Sequence, residues 1–71
     1  MTKETYVLAT FSCVVAALRE RNEMLRSDAS IQLDQGYSGA SQVTYEEARH
    51  FENVADWLSS DYGRQDVLRR L

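Results

Sequence analysis

Apolar side chains recur along the first third of the chain with a helical period. Leu8, Phe11, Val15, Leu18, Asn22 and Leu25 follow one another at spacings of 3, 4, 3, 4 and 3 residues. That is the a/d seam of a heptad, with Val7 and Val14 widening it. Thr2 stands where a hydroxyl can cap the first turn, and Glu4 falls where the helix dipole favours an acid. Ser27-Asp28-Ala29-Ser30 is poor helix-forming sequence, yet Ala29 and Leu33 prolong the stripe beyond it. The pattern predicts helix 1 over 3–35, bent near Ser27 and closed by Gly36 as its C-terminal cap.

A connection over 36–43 follows, of normal length between packed helices. Thr44-Tyr45-Glu46-Glu47 then reads as a capping box, in which threonine and Glu47 satisfy each other's backbone amides. Phe51, Val54, Ala55 and Leu58 form one apolar face, so helix 2 is predicted over 44–59. Ser59, Ser60, Asp61 and Gly63 weaken the helix, and Val67, Leu68 and Leu71 resume a helical pattern. In an unbroken helix, Leu68 and Leu71 would lie more than about 90° from the Phe51 face, and Trp57 about 110° from it on the Leu68 side. Either the chain turns near 60–63 into a third helix over 62–71, or a second apolar face exists.

These elements predict an all-α fold, an antiparallel helical hairpin with a short C-terminal third helix, in a single domain over 1–71. A first helix of about 30 residues spans about 45 Å, and the 44–71 stretch is only slightly shorter, so the arms match. One partner helix cannot cover the long stripe of helix 1. Two hairpins meeting as a homodimer would close a four-helix-type bundle. Leu8, Phe11, Val15, Leu18, Asn22, Leu25, Phe51, Val54 and Leu58 are the expected core and dimer seam. Asn22 admits two readings: a buried polar residue that fixes register, or the point where the stripe drifts into solvent among charged neighbours.

Composition narrows the classes. With one cysteine in 71 residues, neither a disulfide scaffold nor a cysteine-rich zinc module is available. Eleven acids against eight bases give a net charge of −3, an acidic protein without the basic stripe that nucleic acid requires. The arginines Arg19, Arg21, Arg26, Arg49, Arg64, Arg69 and Arg70 are interleaved with acids, as on a solvated surface. The uncharged run 5–18 is too short to span a membrane, which takes about 20 apolar residues, and Lys3 beside Glu4 makes a weak signal-peptide start. Cys13, a lone thiol among apolar neighbours, is expected to pack and fits a reducing cytoplasm.

No phosphate loop, serine-nucleophile elbow or paired-histidine zinc motif is present. Glu47-Ala48-Arg49-His50 has the Glu-x-x-His spacing of di-iron carboxylate bundles. The stretch 46–58 resembles the second helix of short ferritin-like proteins that complete an iron site by dimerising. That resemblance implies iron oxidation or storage, with Glu20 or Glu23 joining Glu47 and His50 as ligands. If helix 1 ends near Asp28, His50 faces Asn22 and Glu23; if it reaches Gln35, His50 faces Ala29 and the carboxylates lie too far away. The plainer expectation is a capping glutamate and a flanking histidine, with no metal or cofactor.

Trp57 reads either as a boundary residue over the turn into helix 3 or as a binding hot spot. In the second reading Tyr62, Leu68 and Leu71 complete an apolar-aromatic patch rimmed by Arg64, Arg69 and Arg70. The function expected is that of a small, cytoplasmic, non-enzymatic homodimer that docks on another protein as an adaptor, chaperone or inhibitor.

Overall fold

The computed structural model describes residues 2–70 as three helices: α1, Lys3–Asp34; α2, Ser38–Ser59; and α3, Asp61–Arg69. Among the described residues there is no strand. α1 and α2 form an antiparallel hairpin, and α3 packs on the end of α2. At the start of α1 the Thr2 hydroxyl accepts the Thr5 amide at 3.2 Å, the expected N-cap. The helix passes through 27–30 without interruption.

Gly36 ends α1 by taking a positive φ of 88°, where a Cβ would be strained. The Tyr37 amide reaches back to the Gln32 carbonyl at 2.8 Å and the Gly36 amide to Leu33 at 3.0 Å. These two bonds are a Schellman motif. They reverse the chain at once, so α2 begins at Ser38 rather than Thr44, and the expected 36–43 connection shrinks to Gln35, Gly36 and Tyr37.

The capping box over Thr44 and Glu47 does not form either. Thr44 sits inside α2, its hydroxyl within donor distance of the Gln32 side-chain oxygen (2.8 Å) and the Ala40 carbonyl (3.0 Å). The buried face of α2 starts at Ser41 and repeats at Ala48 and Ala55, seven residues apart. Its packing outweighs the cost of about 1 kcal/mol that Gly39 brings to a helix.

Small side chains let the two helices approach closely. Among the described residues Leu25, Ala29, Ala48 and Ala55 are the buried apolar ones, and no bulky side chain is fully enclosed. The Ser41 hydroxyl donates to the Ala29 carbonyl at 2.7 Å across the hairpin. Leu8, Phe11, Val15, Leu18, Phe51, Val54 and Leu58 are half-buried around this narrow centre. Asn22 is half-buried too, and belongs to neither extreme: its side-chain oxygen accepts from Arg26, which donates to Glu52 at 2.6 Å. Cys13, expected to pack, is exposed. It lies about 160° round the helix from Phe11, away from α2.

The apolar phase change in the last third is a bend. Ser60 is extended (φ −73°, ψ 159°), and its hydroxyl accepts the Gly63 amide at 3.1 Å to start α3. Gly63 is buried against the Trp57 carbonyl, with no room for a Cβ. Beyond the bend, α3 continues past the N-terminal third of α1 while touching it only sparsely.

Candidate functional site

α1 has 32 residues and α2 has 22, so α1 overhangs α2 by about 15 Å at 1.5 Å per residue. The Arg19 guanidinium marks where α2 stops, donating to Asp56 at 3.2 Å and to Ser59 at 3.3 Å. The arms of the hairpin proper therefore do not match, and the first three turns of α1 run past α3 and the last turn of α2. Between them lies a groove of about 360 Å³ lined by Tyr6, Val7, Thr10, Phe11 and Val14 of α1, Leu58 of α2 and Val67 of α3. The Thr10 hydroxyl is spent on the Tyr6 carbonyl at 3.1 Å and brings no free donor to the wall. The groove is apolar and open.

Its α1 wall belongs to a second stripe. Leu8, Phe11, Val15, Leu18 and Leu25 face the hairpin, whereas Val7, Thr10, Val14, Ala17, Arg21 and Met24 repeat at 3, 4, 3, 4 and 3 beside them. That stripe is apolar or uncharged up to Arg21. Val14 is 46% and Tyr6 67% exposed. The signal for this site was present as the uncharged run 5–18, which has apolar residues on more than one face. Which part of it lay uncovered depended on where the hairpin turned.

The residues of the predicted aromatic patch differ in exposure. Trp57 and Tyr62 are exposed, as are Arg64, Arg69 and Arg70, and Leu68 is half-buried. Arg70 pairs with Asp66 of its own helix at 3.1 Å. Arg64 lines a separate cleft with Phe11, Val15 and Arg19. Because Ser60 breaks the helix, the shared side of Trp57 and Leu68 deduced for an unbroken helix no longer applies. It is Val67 that joins Leu58 at the groove. Leu71 lies outside the described residues.

His50 is exposed, edge-on to Phe51 with ring centres 6.1 Å apart. Ala29 faces Ser41 rather than His50, because the turn is shorter than predicted. Glu20, Glu23 and Glu47 are exposed, and Glu47 has no capping role. Among the described residues no three His, Cys, Asp or Glu side chains gather to hold a metal ion. Nor, among them, is any helix long and apolar enough to cross a membrane.

No protein-family model, no curated protein and no solved structure matches this chain.

Proposed function

We propose that this chain is a small non-enzymatic interaction protein that works as a homodimeric helical bundle and docks on another protein, as an adaptor, chaperone or inhibitor. One observation carries the reading. The single chain exposes 5391 Å², where a folded monomer of its mass is expected to expose about 4500 Å². The excess of about 900 Å² compares with the roughly 800 Å² that each partner loses in a standard protein interface. The radius of gyration agrees, at 15.6 Å against about 11 Å for a compact chain of this length.

Docking on a different protein is assigned to Trp57 and Tyr62, together with the half-buried Leu68 and the exposed Arg64, Arg69 and Arg70. Trp57 is 49% and Tyr62 85% exposed. Tryptophan, tyrosine and arginine are the residue types that dominate interface energetics. The single exposed thiol of Cys13 suits a reducing, cytoplasmic setting.

Light-scattering mass across a dilution series tests the dimer, which predicts twice the chain mass at high concentration and a melting temperature that rises with concentration. A chain that stays single and melts cooperatively at every concentration overturns it. For the docking patch, the double variant Trp57→Ala, Leu68→Ala should lose captured partners that the parent chain retains.

A further inference from the structure

We infer that the apolar groove between the N-terminal third of α1 and α3 is the seat of a second copy of this chain, the two overhangs pairing antiparallel about a two-fold axis. This rests on the homodimer proposed above and locates its interface. The hairpin seam is already occupied within one chain: Leu25 is buried, and Leu18, Phe51 and Val54 are half-buried. What remains open is the adjoining groove, where Tyr6 and Val14 are exposed and Val7, Leu58 and Val67 are half-buried. The surface in excess is about what one partner contributes to a stable interface, so one further copy is sufficient.

Charge selects the occupant. A two-fold contact brings a patch against itself, so a patch dominated by one sign of charge would repel its copy. The run 5–18 carries no charge at all. It is bounded by Lys3-Glu4 at one end and Arg19-Glu20 at the other. A parallel pair would set Lys3 beside Lys3 and Glu4 beside Glu4. An antiparallel pair centred between Phe11 and Ser12 instead brings Lys3 level with Glu20 of the second copy and Glu4 level with its Arg19.

The test compares Val14→Arg with Ile31→Arg. Both positions are about half exposed on α1, and arginine is the better helix former, so each variant keeps its helical circular dichroism. Val14→Arg should weaken the dimer about a hundredfold, and Ile31→Arg should leave its affinity unchanged. Mixing Val14→Arg with Val14→Glu should recover part of the dimer as a one-to-one pair, because in this register the two side chains sit about 7.5 Å apart along the axis and then carry opposite sign.

A parent chain that dimerises while Val14→Arg dimerises equally well, or while Ile31→Arg is as damaging, overturns this interface and leaves the homodimer standing. A parent chain that is single at every concentration overturns both. If that single chain also binds the apolar dye anilinonaphthalene sulfonate and Val14→Arg loses the dye, a small apolar molecule is the occupant instead.

Discussion

The hydroxyl of Ser41 reaches across the hairpin to the carbonyl oxygen of Ala29, 2.7 Å away, with both residues essentially out of solvent. This bond lies one turn inside α2. Ala29 keeps its place in the α1 backbone ladder, so removing the serine hydroxyl leaves no orphaned acceptor. Ser41→Ala should therefore cost only about 1 kcal/mol in a urea titration.

Ala48 is fully buried seven residues further along the same face. A larger side chain there has to separate the helices. Ala48→Leu should destabilise by about 1–3 kcal/mol, although leucine is nearly as good a helix former. The order of the two variants matters: if Ala48→Leu were harmless, close helix approach would not be what holds the hairpin.

Gly36 sets where everything downstream falls. At φ 88°, an alanine would enter the left-handed region at a cost of about 1–2 kcal/mol. Gly36→Ala should lower stability by that amount, and Gly36→Asn by less, since asparagine tolerates this conformation. Thermal melts of the three proteins check the ranking.

The same residue explains what could and could not be read along the chain. The N-cap Thr2, the length of α1, the Gly36 cap and the break before α3 all follow from local chemistry, and each was legible. The start of α2 was not. Thr44-x-x-Glu47 has the same spacing inside a helix as at its beginning, and choosing between them requires knowing that Ser41 is buried against Ala29. The groove was hidden for a related reason. Val7 and Val14 plainly widen the first stripe, but which part of it α2 and α3 cover follows only from where the chain turns and where Ser60 breaks it.

Gly63 offers a local rather than global test. Its missing Cβ leaves room for the Trp57 carbonyl, and backbone cannot give way as a flexible side chain would. Gly63→Ala should undock α3 while sparing the α1–α2 hairpin. Amide hydrogen exchange is expected to quicken across 61–69 and remain slow around Leu25 and Ala48. Uniform loss of protection throughout would mean that α3 and the hairpin fold as one unit.

Salt separates the two kinds of force at work. The ion pairs Arg19–Asp56, Arg26–Glu52 and Arg70–Asp66 all reach solvent, and exposed pairs typically contribute about 0.3 kcal/mol each, less when screened. Raising sodium chloride from about 0.05 M to about 1 M shortens the Debye length to a few ångströms, so those contributions fade. Apolar burial does not fade with them, and sulfate strengthens it by exclusion from the surface. The chain should therefore lose less than about 1 kcal/mol in chloride and gain stability in sulfate, measured by urea midpoint at fixed protein concentration. A loss of several kcal/mol in chloride would place the hold between α1 and α2 in Arg19 and Arg26, and the small-residue stripe would then be a consequence of close approach instead of its cause.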